Sequence, residues 1–301
     1  MDEKDLGFDL IFIPFNDERC IKIIRNGIPE CIVIDKFMGQ LSCIVGRAII
    51  CWKVYPEGDL FTMFVIKNSW QFPEREVEGE LLREATEKGV CNVTWYYYYK
   101  IIYVNGSSLN MPRMSHISQG SKRSSSQTNA PLLSSKQSRS ESPVKRDLIH
   151  PSLPPNRIHR CVIVCDYGQN IYEVSLYVAL LAAFESCIQG YKLLFEAGIL
   201  HKDILINNIM INEDGSNLSG FLIDLNLAIK VYTRAFMAIR ILKGRQYSFE
   251  HDLKSFFWVL FWICIHYNSS NEERSVPEFE KWNVISISKL VTLKRGIVAD
   301  E

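Results

Sequence analysis

Paired cysteines, surplus charge and long apolar runs are all scarce in this chain. It has no Cys-x-x-Cys pair, and its nine cysteines are an odd, scattered set. That spacing argues against a disulfide framework and against a zinc site, and fits reduced, buried thiols. The 34 basic and 34 acidic side chains cancel, so no global field recruits nucleic acid or an anionic membrane. The longest unbroken apolar stretch, Phe256 to Ile265, has ten residues, against roughly 20 for a membrane span. Met1-Asp-Glu-Lys-Asp is acidic and lacks the basic start of a signal peptide. These absences predict an intracellular protein, cytoplasmic or nuclear, with neither nucleic acid nor membrane as partner. What remains is ordinary: 301 residues, 47% hydrophobic and 23% charged, a balance that excludes a collagen, a coiled coil or a wholly disordered chain. That length suits two domains or one large one.

Aromatic residues vanish between Asn105 and Asn156. That segment holds 14 serines, six prolines, and seven basic against two acidic side chains, for a net charge of +5. So little apolar surface cannot offset the entropy of ordering a chain. We read it as a disordered insertion within one fold. Arg139-Ser-Glu-Ser-Pro and Lys122-Arg-Ser-Ser-Ser have the composition of phosphoacceptor or nuclear-import patches, and equally of a solvated linker.

Before the insertion, Cys43 to Ile50, Cys51 to Tyr55, Phe61 to Ile66 and Val93 to Val104 read as strands, with a turn at Pro56-Glu-Gly-Asp59. Glu74 to Lys88 reads as a helix, with Val77, Leu81, Leu82 and Ala85 at helical spacing and Gly89 as its stop. After it, Cys161 to Cys165 is an apolar strand. Ser175 is placed to cap a long helix whose stripe is Leu176, Leu180, Phe184, Cys187, Ile188, Tyr191 and Leu194, ended by Gly198. Strands are expected at Asn208 to Ile211 and Gly220 to Ile223, and a buried helix from about Asp252 to His266.

The chemistry concentrates in Ile199-Leu-His-Lys-Asp-Ile-Leu-Ile-Asn-Asn-Ile-Met-Ile211 and Gly220-Phe-Leu-Ile-Asp-Leu-Asn-Leu-Ala228. His201, Asp203 and Asn208 fit the H-x-D-x-x-x-x-N spacing of a phosphoryl-transfer loop, and Asp224 ends the next apolar strand. Such a reaction has a loose, highly charged transition state, so a protein mainly positions groups and balances charge. One carboxylate must face the attacking hydroxyl, while a second carboxylate and an amide oxygen suit magnesium.

With Thr233-Arg-Ala-Phe-Met-Ala-Ile239 and His251-Asp-Leu-Lys-Ser-Phe-Phe-Trp258, these motifs make the chain resemble the fungal-type protein kinase family, from about Leu41 onward. The resemblance implies an α+β, two-lobed fold: an N-terminal extension at 1–40, a small β-rich lobe at 41–165 carrying the insertion 105–156, and a larger helical lobe at 166–301, shortened at its end. It implies transfer of the ATP γ-phosphoryl group, with Mg2+, to a serine or threonine hydroxyl of a protein substrate. Asp203 would be the catalytic base within the His201 loop, and Asn208 and Asp224 would bind magnesium. Lys67 would touch the ATP phosphates, held by Glu78, with Glu80 as the alternative. Gly46 would sit in the phosphate-covering loop, and Asp166, Tyr167 and Gly168 would form the adenine-binding hinge. Asp252 would brace the catalytic loop, or cap its helix.

Departures from the family pattern are equally specific. Leu205 stands where a polar or basic residue usually faces the transferring phosphate, and losing one such donor costs about 3 kcal/mol. Lys202 replaces an arginine, Asn226 a glycine, and Arg240 a glutamate; Ala48 lies in the phosphate-covering loop, and the stretch from Asp224 to Arg240 is short. These favour a pseudokinase that binds rather than transfers. A small-molecule phosphotransferase would share the H-x-D and Asp elements but not the Thr233–Ile239 motif. One prediction follows from the insertion alone: replacing Asn105 to Asn156 by a short turn leaves the melting temperature nearly unchanged, since two strands simply flank it. A large drop in a thermal melt would show that it packs on the fold.

Overall fold

A computed structural model describes residues 12–15, 18–41, 49–71, 73, 76–104, 107–108, 158–174, 176–212, 219–225, 234–267 and 274–298. The architecture is mixed. A seven-stranded antiparallel sheet has the order β1-β2-β3-β4-β5-β9-β6. Its strands are β1 (Phe12–Phe15), β2 (Glu18–Arg25), β3 (Ile28–Leu41), β4 (Ile49–Pro56), β5 (Phe64–Gln71), β6 (Tyr96–Ile101) and β9 (Ile158–Val164). Residues 12–41, set apart above as an extension, thus supply three strands that continue this sheet. Helix α1 (Glu78–Glu87) joins β5 to β6. A two-stranded ladder, β7 (Tyr103–Val104) with β8 (Ser107–Ser108), reaches the fourth residue of the serine-rich insertion; the rest of that expected disordered segment lies outside the described residues.

Strand alternation explains the first core. Ile21, Ile23, Ile32, Val54, Phe64, Ile66, Cys161 and Ile163 point to one face and are buried. The 14-residue β3 bends at two register shifts, Ile34/Lys36 and Phe37/Gly39, as bulges do. Strand β5 starts later than its apolar residues suggest and runs on through Asn68, Ser69, Trp70 and Gln71. Lys67 is therefore in mid-strand, not at a strand end. Two buried polar residues of β5 are satisfied inside the fold: Arg160 Nη1 donates to Gln71 Oε1 at 2.6 Å, and Gln71 Nε2 to Ser69 Oγ at 2.9 Å.

The second core is mainly helical. It lies around α2 (Tyr177–Glu196) and α4 (Phe249–His266), with a small sheet of β10 (Gly168–Asn170), β11 (Ile209–Asn212) and β12 (Gly220–Leu222). Short helices α3 (Ile239–Leu242) and α5 (Pro277–Glu280), and then α6 (Ile287–Ile297), complete it. By length and composition alone α2 is apolar enough to cross a membrane, although charges interrupt its apolar runs. Yet Leu180, Phe184, Cys187, Tyr191 and Leu194 of its stripe are buried in this core, while Leu176 and Ile188 are exposed. The N-cap position of α2 is Leu176, with no side-chain cap, rather than the expected Ser175, which lies outside the described residues. Gly198 (φ +83°) closes α2: Ile199 N donates to Leu194 O at 2.8 Å and Gly198 N to Phe195 O at 2.9 Å, a Schellman stop. The start of α4 is capped by Ser248, whose partner is His251 Nδ1 at 2.8 Å, rather than by Asp252.

His159 on β9 stacks on Trp70, ring centroids 4.6 Å apart, and is almost wholly buried. Burial pushes its imidazole down to about 4. An unfolded histidine takes up its proton near 6.5. As pH falls from about 6.5 to 4 the unfolded chain binds a proton that the folded chain refuses, so stability declines with acid by about 1.4 kcal/mol per pH unit. His159→Phe, which keeps the stack, is expected to remove that contribution. Urea unfolding of both forms between pH 7 and pH 4 measures it, and parallel slopes would refute the assignment.

Candidate active site

The site begins with one buried cation. Lys67 Nζ lies 2.8 Å from Glu78 Oε1 and 2.9 Å from Asp224 Oδ1. Side-chain exposures are only 14% for Lys67, 4% for Glu78 and 11% for Asp224. Burial alone would lower the lysine pKa, but the Asp224 and Glu78 carboxylates outweigh it and hold the ammonium well above its ordinary range. Glu80 is exposed, and the carboxylate that pairs with Lys67 is that of Glu78, for which Glu80 was the alternative.

Three elements converge to build this trio. Lys67 comes from the middle of β5. Glu78 opens α1, and the next residue, Gly79, lets the helix approach β6 so closely that a Cβ there would collide with the Tyr99 ring. Asp224 follows β12, whose Leu222 N donates to Asn92 O at 3.1 Å while Thr94 N donates to Leu222 O at 2.8 Å. The segment after α1 is thereby tied to the strand that delivers Asp224. Gly220 allows β12 to press against α2, where an added Cβ would stand 2.5 Å from Ala183 O.

The H-x-D loop lies beside Asp224 through one residue, Ile223. Its carbonyl is 3.0 Å from His201 Nε2, and its N–H donates to Asn208 O at 3.1 Å. His201 is fully buried, and that burial lowers its pKa. Asn208 Nδ2 donates to the Asp203 carbonyl at 2.9 Å and lies 3.5 Å from Asp203 Oδ2. Both side chains are nearly buried. Asp252, fully buried, accepts from Lys202 N at 3.1 Å and from the Tyr247 hydroxyl. Lys202 (φ +60°) and Asp224 (φ +62°) both sit in left-handed backbone, a conformation costly for non-glycine residues and held here by the surrounding bonds. Leu205 is buried in the helical core.

The expected hinge follows β9, whose Val164 pairs with Val65, two residues from Lys67. Asp166 accepts from Trp95 N; burial raises its pKa, while bonds from Trp95 and Thr94 oppose that rise. The Tyr167 ring has the Lys53 ammonium of β4 over it, 4.1 Å from its centroid. Gly168 begins β10 and pairs with Asn212; a Cβ there would strike Ile211 O, so glycine is required by close strand packing. Gly46, Ala48 and Asn226 lie outside the described residues. Sequence reasoning missed Tyr247, Lys53 and Cys51. Cys51 pairs across strands with Lys67, and burial pushes its thiol up to about 11; the strand register was the only signal available. Among the described residues, no three His, Cys, Asp or Glu side chains gather to hold a metal by themselves.

A trio of this kind, joined to an H-x-D loop, is a phosphoryl-transfer arrangement. The family profile described as "Fungal protein kinase" matches residues 1–264. The chain belongs to the fungal protein kinase family. The match begins at the first residue rather than near Leu41, in keeping with β1 to β3 lying in the main sheet. No curated protein sequence matches the chain. Among solved structures it is similar to the Cydia pomonella granulovirus kinase PK-1, at 10% identity and a TM-score of 0.48, covering 85% of this chain and 77% of that one.

Gly79→Ala is expected to lower stability by about 1–3 kcal/mol, because the overpacking against Tyr99 exceeds alanine's helical advantage. A shifted denaturant midpoint at unchanged slope would register it, and an unchanged midpoint would show that α1 has room to move.

Proposed function

We propose that the chain is a two-lobed, ATP- and magnesium-dependent protein kinase acting on serine or threonine. The observation that carries this is the contact of Lys67 with both Glu78 and Asp224, next to the Asp203–Asn208 loop. In this reading Lys67 binds and orients the phosphates. Glu78 keeps its ammonium in place, and Asp203 orients the acceptor hydroxyl and takes its proton. Asn208 Nδ2 faces Asp203, which leaves the amide oxygen to share a cation with Asp224. Two oxygen ligands are few, which suits magnesium, since it keeps waters and phosphate oxygens in its shell. Magnesium and ATP supply the phosphoryl group and the charge that steadies its transfer. The hinge after β9 would hold the adenine through backbone groups.

One observation favours a second reading, a pseudokinase. Leu205 is packed into the core, so the loop offers no polar side chain from that position to a phosphate. Transfer of labelled phosphate from ATP to casein, or to the chain itself, separates the two. Wild type is expected to transfer, and Asp203→Asn to lose at least about 100-fold. Equal background from both proteins sinks the kinase reading. A nucleotide-induced thermal shift that requires magnesium would then support the binding role.

A further inference from the structure

The side of the main sheet that carries Lys67 holds a second ammonium. On β4, Cys51 pairs with Lys67 and Lys53 with Val65; on β9, Val162 and Val164 pair with the same two residues of β5. Strand alternation therefore puts Lys53 on the Lys67 side, opposite Val54, Phe64 and Ile66, which fill the first core. Val162 lies in the helical core and Val164 packs against it, so this side of the sheet faces that core. Lys53 is half-buried. Among the described residues no carboxylate pairs with it; its ammonium stands over the Tyr167 ring, 4.1 Å from the centroid.

Tyr167 lies between two residues that are pinned from other elements. Asp166 accepts from Trp95 N, and Gly168 pairs with Asn212 of β11, where a Cβ would strike Ile211 O. Lys53 adds a hold on the middle side chain from β4, two places away from β9 in the sheet. We propose that Lys53 is a positioning residue that, through the Tyr167 ring, fixes the backbone of residues 166–168 for a purine base. This rests on the kinase reading, in which that segment holds adenine through backbone groups. The effect falls on the base end of the nucleotide. Lys67, which would meet the phosphates, is held by Glu78 and Asp224, and neither carboxylate pairs with Lys53.

The test uses the full chain with Lys53→Met, which keeps the length without the charge, and Lys53→Arg, whose guanidinium also stacks on rings. Titration calorimetry gives Kd for Mg-ATP and for magnesium tripolyphosphate, which carries the phosphates without a base. Hydrogen exchange at Tyr167 and Gly168 is followed in the free protein. Lys53→Met is expected to weaken ATP binding about threefold, the scale of a cation over a phenol ring, and to speed that exchange by a similar factor. Tripolyphosphate affinity stays as in wild type, and Lys53→Arg restores ATP binding. If Lys53→Met does not fold, Lys53→Gln carries the same comparison. Unchanged ATP affinity or unchanged exchange overturns the role. So does an equal loss for ATP and tripolyphosphate, which would put the ammonium on the phosphates, or an arginine variant as weak as the methionine one. A wild type that binds neither ligand overturns the nucleotide reading itself, a result distinct from a wild type that binds ATP no better than Lys53→Met does.

Discussion

One ammonium between two carboxylates ties the structure together. Lys67, Glu78 and Asp224 come from a central strand, a helix start and the end of a strand in the other sheet. None of these elements needs the others for its own hydrogen bonds. The cation supplies their common point. A buried ion pair is weak evidence for stability, since well-packed apolar groups often do as well. Its persistence here is better explained by geometry. It holds a charged group at a fixed place and forces α1 to keep its distance from β5. Removing the lysine would leave two carboxylates facing each other in a nearly dry site, so the trio stands or falls as a unit.

Around that point the backbone is held in conformations it would not choose. Lys202 and Asp224 are both left-handed. Each is stabilised from outside: Lys202 by the Asp252 carboxylate from α4, and Asp224 by Lys67 and by the bonds of its neighbour Ile223 to His201 and Asn208. Asp252 is in turn fixed by Tyr247, whose hydroxyl burial and the nearby carboxylate keep protonated far above the ordinary phenol range. The loop is therefore shaped before any substrate arrives, which is the economical arrangement for a reaction that depends on positioning.

The residues that make this loop were legible because their signal is local. His201, Asp203, Asn208 and Asp224 are fixed by spacing between apolar strands, and α1 and α2 by helical periodicity with a glycine after each. The three strands of residues 12–41 were not legible. Their pairing is non-local, and the bulges of β3 break the alternation that would mark a strand. The expected strand stops at Ile66, because only the fold shows Arg160 and Ser69 satisfying Gln71. Asp252 reads as either a brace of the loop or a helix cap; its carboxylate accepts from Lys202 N, and the cap is Ser248, four residues earlier. Lys294 carries no signal in the sequence that singles it out. Only packing reveals two tryptophans and a carbonyl around it.

Charge balance bears on how such a site would work. The trio sets one ammonium, Lys67, against two carboxylates, Glu78 and Asp224. Leu205, turned into the core, adds no cation where one would offset a phosphate. On the proposed function the protein's own groups therefore leave an excess of negative charge, and a divalent ion is needed to make a polyphosphate tolerable there. The same arithmetic serves the alternative. On that reading a site that cannot complete transfer would still hold a metal-bound nucleotide, because binding would need Lys67 and Asp224 whereas transfer would also need Asp203 to reach an acceptor. The two readings thus share their first step. They part at Asp203, which in the kinase reading takes the proton of an acceptor hydroxyl and in the other has no such task.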